Sequence, residues 1–331
     1  MRNDLPLIDL HRHLDGSVRL STIIALARQY HVELPAWDEE SLRPYVQITE
    51  NQPGVMAFIS KFKYMTAILK NQDCCYRIAY EAVEDLHNEH IDYAELRFSP
   101  WFMAEANGMD AAAVVEGVVN GVKDASRDFK LPVGLIGILS RTYGPELAWK
   151  ELAALQTCRD DILALDLAGD EIHFPGDLFV EHFKQARDMG WQVTVHAGES
   201  CGAESIWQAI RELGAQRIGH GVTAFEDPTL IDYLRENQIG IESNLTSNVQ
   251  TSTVADYASH PLKRFLIENV QATINTDDPG ISAITLGDEY DYAASRAGLS
   301  EQQVHQAQLN AVHQAFLSEE QKKQLIDLKI E

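Results

Sequence analysis

Two histidines one residue apart, His11 and His13, close a short apolar run in the segment HRHLDG. If that run is a strand, alternate side chains share a face, so both imidazoles point one way and Arg12 the other. Two imidazoles one pleat apart can grip a single metal ion. Three later runs end with comparable chemistry. TVHAGE carries His196 with Glu199 just beyond it, and RIGHG carries His220 between two small residues that leave room around the ring. INTDDP carries Asp277 and Asp278, neighbouring carboxylates that repel each other unless a cation or a proton offsets them. Taken singly, each has a plain structural reading: a surface histidine pair, a hydrogen-bonded histidine after a strand, a turn before Pro279. Four such endings in one chain call for a common site.

Three neutral imidazoles and a carboxylate suit a borderline divalent ion, zinc first, with iron, cobalt and manganese also compatible with those donors. Zinc in such a site lowers the pKa of its water to about 7, which points to hydrolysis or hydrolytic deamination. The chain has no H-E-x-x-H helix, no G-x-G-x-x-G, no G-x-S-x-G and no Gly-Lys dipeptide for a phosphate-binding loop. It also lacks P-C-x-x-C, so a deaminase here would be of the histidine-rich kind.

The elements that must position these residues are legible as eight apolar runs, at 7–13, 91–98, 133–139, 162–167, 192–196, 217–220, 240–243 and 272–277. Helical patterns lie between them. Ile206, Ala209, Ile210 and Leu213 repeat at helical spacing before Gly214, and Leu178, Phe179, His182, Phe183 and Ala186 do so before Gly190. Strands alternating with helices predict an α/β fold, a (β/α)8 barrel, whose active site lies at the C-terminal ends of the strands. All 331 residues then form a single barrel domain. Roughly eighty residues separate the first two runs, far beyond a crossover of about a dozen, which predicts a helical insertion after the first strand, a lid at about 35–70. Within it Phe58, Phe62, Met65 and Leu69 share one helical face, a stripe readable as ordinary core or as the underside of the lid. Ser300 with Gln303 and Ser318 with Gln321 repeat a capping pattern and predict two C-terminal helices.

Composition narrows the partners. With 27 Lys and Arg against 50 Asp and Glu, the formal charge is -23, and such a chain repels phosphate backbones and anionic membranes. A small-molecule substrate is expected, with neither nucleic acid nor membrane as partner. The first residues lack the apolar stretch of a secretory signal and no segment has the length of a membrane span, so a cytoplasmic location is expected. The four cysteines form no CxxC pair and read as reduced thiols, Cys201 as a packed one.

In order along the chain, HRHLDG, LDLAGDE, TVHAGE, RIGHG, SNLTSN and INTDDP resemble the adenosine deaminases of the metal-dependent amidohydrolase superfamily, and bacterial members most closely. The resemblance implies zinc-dependent deamination of adenosine and 2′-deoxyadenosine, in purine salvage. It implies His11, His13, His196 and Asp277 as the ligands of one zinc ion per chain, Glu199 as proton donor to purine N1, and His220 as the residue that orients the attacking hydroxide. It further implies Asp278 as the partner of N7, and the Gly169 backbone as the donor to N3, where a side chain would block the ring. Asp15, with His13 nearby, is implied as the partner of the ribose 5′-hydroxyl. Two rival readings are an adenine deaminase acting on the free base, whose members tend to carry Glu where this chain has Asp15, and a zinc-binding protein without turnover.

Overall fold

The computed structural model describes residues 4–330. Eight parallel strands follow one another in chain order around a barrel: β1 (Ile8–His13), β2 (Tyr93–Phe98), β3 (Val133–Ser140) and β4 (Ala164–Ala168), then β5 (Gln192–Ala197), β6 (Arg217–His220), β7 (Gly240–Ser243) and β8 (Ala272–Ile274). Each pairs with its successor in parallel. The fold is the expected (β/α)8 barrel.

The two faces of the strands differ in kind. In β2, Ala94, Leu96 and Phe98 join the large apolar cluster shared with the helices, whereas Glu95 and Arg97 alternate with them and reach across the barrel interior to Arg217, Asp166 and Glu242. The interior is therefore ionic and the shell apolar.

Strand β8 is shorter than the expected 272–277, because after Ile274 the chain leaves the ladder and Asp277 adopts a positive φ of 63°. The seam between β8 and β1 is closed differently. Asp277 donates its N–H to the His11 carbonyl at 2.8 Å and accepts from the His13 N–H at 2.7 Å. Below them side chains replace the missing ladder: Asn275 accepts from the Leu10 N–H at 3.0 Å, and the Thr276 hydroxyl donates to Asp9 at 2.6 Å. The register of β1 against β2 also shifts between Asp9 and Arg12.

Between β1 and β2 lie the helices Leu20–Tyr30, Glu39–Val46, Val55–Ile59, Lys63–Ala67 and Gln72–Asn88. Phe58, Phe62, Met65 and Leu69 are all buried. The helix expected before Gly214 begins at Ala203–Gln208 and ends in a wider π turn, Ala209–Leu213, with Gly214 as its left-handed cap. The one before Gly190 spans Val180–Asp188, and Leu178 is 43% exposed, outside the buried face expected of it. Both capping patterns near the C-terminus open helices, Glu301–Gln314 and Glu319–Ile330. These helices close the end of the barrel away from the histidines, packing Ala311, Val312 and Leu325 against Ile8, Leu10 and Tyr93. The Phe316 ring lies 3.7 Å from the Arg217 guanidinium at the start of β6.

Asn275 thus substitutes for strand pairing in a site with no access to water. Asn275→Ala leaves the Leu10 N–H buried and unpaired, and is expected to lower unfolding free energy by about 1–3 kcal/mol, as measured by urea denaturation. An unchanged midpoint and slope would remove the seam from the account of stability.

Candidate active site

The polar residues singled out at the strand ends meet at one end of the barrel. His11 and His13 do share the inward face of β1, with ring centroids 5.3 Å apart, while Arg12 turns outward to bond Glu89 at 2.6 Å. His196 at the end of β5 brings its Nε2 to 3.3 Å from that of His13. Asp277 Oδ1 stands 3.1 Å from His11 Nε2 and 3.2 Å from His13 Nε2. The His220 ring is centred 5.0 Å from His11 and 5.1 Å from His196. His220 and Asp277 are both non-glycine residues at positive φ, a conformation that surrounding packing has to enforce. Ser247 donates to Asp277 Oδ2 at 2.6 Å.

The outer nitrogens of two rings are held by carboxylates: His11 Nδ1 by Glu242 at 2.7 Å, His196 Nδ1 by Asp166 at 3.0 Å. Each ring therefore carries its proton outward and its lone pair inward, as metal-ligating histidines do. His11 Nε2 is buried without a hydrogen-bond partner, even with Asp277 so close. Burial alone would discourage charge on His13, yet Asp278, Asp15 and Asp277 together lift its pKa well above the usual histidine value. Burial drives His196 the other way, down to about 3, so it is neutral. Inward lone pairs beside carboxylates that demand positive charge fit a divalent cation. Two overlapping groups of ligand atoms have the necessary spacing: His11, His196, His220 and Asp277, within 4.8 Å of one another, and His13, Asp277 and Asp278.

Beside this cluster lies a cavity of about 210 Å³. Asp15, Gly169, Glu199 and Asp278 line its polar part, Phe58, Phe62 and Phe102 its apolar part, and among the described residues no Lys or Arg lines it. Met65 packs into the core. Asp15 Oδ1 and Asp278 Oδ1 are buried with no hydrogen-bond partner. Burial and neighbouring Asp277 raise the Asp278 pKa well above the carboxylate range, while burial, Asp277 and Glu171 push Glu199 up to about 8. Both are therefore acids able to donate a proton near neutrality. Glycine at 169 also has a reason within the chain itself: its φ is 116°, and a Cβ there would run into the Thr142 hydroxyl. The glycine before His220 also serves a neighbour, since a Cβ on Gly219 would lie 3.0 Å from the His11 ring.

A family model described as adenosine deaminase matches residues 6–331. The chain belongs to the adenosine deaminase family. Bacterial adenosine deaminases are its near relatives: that of Edwardsiella ictaluri is 56% identical over 98% of this chain and 97% of its own length. That of Klebsiella pneumoniae is 55% identical over the same shares. Among solved structures, the adenine deaminase of Arthrobacter aurescens superposes with a TM-score of 0.91 at 25% identity, covering 98% of both chains. The Arabidopsis N6-mAMP deaminase superposes with a TM-score of 0.84 at 27% identity, over 99% of this chain and 98% of that one.

Membership in the adenosine deaminase family does not by itself explain how the site is held, and sequence reading passed over the residues that hold it. Glu171, the last residue of LAGDE, accepts four backbone N–H groups at once: Gly198 at 2.7 Å, Glu199 at 3.2 Å, Ser200 at 2.7 Å and Cys201 at 3.2 Å. It fixes the loop that presents Glu199. Cys201 contributes its backbone, and burial raises its thiol pKa, which agrees with a packed rather than reactive group. Arg97, Asp166 and Glu242 were visible as charges inside apolar runs, a signal that carries meaning once the barrel interior is known to be ionic.

Glu171→Gln keeps the shape but turns one acceptor into a donor facing backbone N–H groups. Turnover is expected to fall by about 10², the scale of an ångström-level displacement of a catalytic group, with the circular dichroism spectrum retained. Full turnover in a folded variant would show that the loop is held by other means.

Proposed function

We propose that this protein hydrolyses adenosine and 2′-deoxyadenosine to inosine and 2′-deoxyinosine with release of ammonia, as a cytoplasmic enzyme of purine salvage. The observation that carries the proposal is the pairing, in one buried cavity, of a proton-bearing Glu199 with a cluster of inward-facing imidazoles. Relatives named adenosine deaminase at 56% identity support it over the adenine deaminase reading, whose structural counterpart is 25% identical. A zinc-binding protein without turnover would need neither the acid nor the cavity. Among the described residues no helix is long and apolar enough to cross a membrane.

His11, His13, His196 and Asp277 would hold one zinc ion per chain. Bound there, zinc supplies the Lewis acidity that makes hydroxide available from water at neutral pH. The chain's own residues do the rest. Glu199 gives its proton to purine N1, which drains electron density from the ring and opens C6 to attack. His220 orients the attacking oxygen and offsets its charge. Purine N7 is an acceptor, and Asp278 in its protonated state is the donor that faces it. The Gly169 N–H serves N3. Once the C6–O bond has formed, the C6–N bond breaks; of the two protons of the water one joins the leaving amine, which departs as ammonia, and the other restores Glu199. The segment around 35–70 acts as a lid, its Phe58 and Phe62 excluding water from the purine, within a single barrel domain spanning 1–331.

Glu199 works in its protonated form, so activity is full below its pKa and falls as pH rises through it. Its burial beside Asp277 and Glu171 sets that value high, about 8 before a bound cation pulls it down. Glu199→Gln should cost about 10²–10⁴ in kcat and abolish the alkaline limb of the pH profile, while binding of an unreactive purine nucleoside survives. Near-normal kcat in that variant would exclude Glu199 as the acid.

Substrate choice follows from the carboxylate of Asp15. It accepts a hydrogen bond from a neutral 5′-hydroxyl, worth roughly 1.5–3 kcal/mol, whereas a 5′-phosphate would set anion against anion with no Lys or Arg in the cavity lining. Adenosine and 2′-deoxyadenosine should be deaminated efficiently, as followed by absorbance, adenine several powers of ten more slowly, and AMP not at all. Adenine matching adenosine would transfer the chain to the free-base reading, and efficient use of AMP would show that Asp15 does not face the 5′ position.

A further inference from the structure

The segment SNLTSN has so far supplied only Ser247 to the site, yet it also carries Asn244 and Asn248, both fully buried. Each brings its side-chain nitrogen to the same atom, His220 Nδ1, Asn248 at 3.0 Å and Asn244 at 3.2 Å. On its own that geometry decides nothing, because an amide can be turned round and an imidazole can carry its proton on either nitrogen. A third residue removes the ambiguity.

His260 lies in the loop that follows, 2% exposed, with its Nδ1 3.1 Å from the backbone nitrogen of Leu262. A backbone N–H can only donate, so His260 Nδ1 must accept and bears no proton. The proton of the ring is then on Nε2, which lies 3.1 Å from Asn248 Oδ1 and donates to it. That contact fixes the amide: oxygen toward His260, NH2 toward His220 Nδ1 and, at 3.1 Å, toward the hydroxyl of Thr253. His220 Nδ1 must therefore accept in its turn. Burial, helped by His220, keeps His260 neutral, with its pKa down at about 3.

We infer that His260 and Asn248 are positioning residues that lock His220 in the tautomer with its proton on Nε2, directed at the reacting oxygen. The inference rests on the deaminase reading for what that proton does, and on hydrogen-bond geometry alone for where it is. Two consequences follow. With a proton on Nε2 and two donors on Nδ1, His220 has no lone pair for a metal, which takes it out of the four-residue group that includes it and leaves the cation to His11, His13, His196 and Asp277. And Nδ1, 3.6 Å from Glu199 Oε1, carries no proton to donate to that carboxyl, so the ring offers its ionised form no hydrogen bond there.

The test is nitrogen-15 NMR of the zinc-loaded protein labelled at histidine, with the His220 signals assigned by their loss in His220→Gln. The expected spectrum shows His220 Nε2 protonated and Nδ1 bare. Asn248→Asp replaces the donor by an acceptor and should move the proton to Nδ1, lowering kcat by at least about 10², against the ~10⁴ known when a catalytic histidine is forced into the wrong tautomer. Zinc content and KM should stay near those of the parent. His260→Gln, which can still donate to Asn248, should retain more activity than His260→Leu. A bare Nε2 in the parent protein overturns the inference, as does an Asn248→Asp variant with unchanged kcat and an unmoved proton. Absence of adenosine deamination in a parent whose Nε2 is protonated would instead reject the functional reading and leave the tautomer standing.

Discussion

Everything at the catalytic end of this barrel stands on a column of buried ion pairs running down its axis. Arg97, fully buried, bonds Asp166 and Glu242 at 2.9 Å each, and those two carboxylates hold the outer nitrogens of His196 and His11. Arg217 reaches Glu242 at 2.7 Å and Glu95 at 2.5 Å one layer lower. Burying so many charges is costly, and an apolar core of equal volume would stabilise a barrel at least as well. What an apolar core cannot do is aim imidazoles. Against the opposition of burial, His196 and Arg97 keep Asp166 ionised, and Arg97 and Arg217 keep Glu242 so, both well below the usual carboxylate range. An ionised carboxylate on Nδ1 is what turns each ring's lone pair inward.

Much of this was legible beforehand, and the reason is period. Strands two residues in repeat and helices near four left separate marks, so the barrel, the side of β1 that faces inward and the convergence of the four endings could all be read from residue types. Residues whose role depends on a partner distant in the chain could not. Glu171 is an unremarkable glutamate until the loop at 198–201 is seen to aim four N–H groups at it. Asn248 and His260 likewise acquire meaning only from each other. The end of β8 was misplaced for a related cause: Asn275 and Thr276 look like strand residues, but their side chains make bonds that a backbone ladder would otherwise make.

The site divides its work by polarity. Of the carboxyls that line the cavity, Glu199 and Asp278 are held protonated by burial and by Asp277, while Asp277 itself is kept ionised, against burial, by His220, His11 and His13. One ionised and two neutral carboxyls within a few side chains of one another give an acceptor and two donors, and among the described residues no Lys or Arg stands at the cavity wall. A neutral, proton-poor heterocycle such as a purine meets donors there, and an anion meets no guanidinium or ammonium group among the described residues.

The seam between β8 and β1 joins the two ends of the chain's history. His11 and His13 belong to the first strand to be synthesised, and Asp277, which exchanges backbone bonds with both, to the last turn of the barrel. No half-barrel folded during synthesis can bring Asp277 to His11 and His13, which lie more than 260 residues before it in the chain. Closing so long a loop is slow, and a cation that binds only the closed form adds stability to that form alone, by RT ln(1 + [L]/Kd). A cation held by His11, His13 and Asp277 would be captured late in folding and would act as a clasp between the first and last strands.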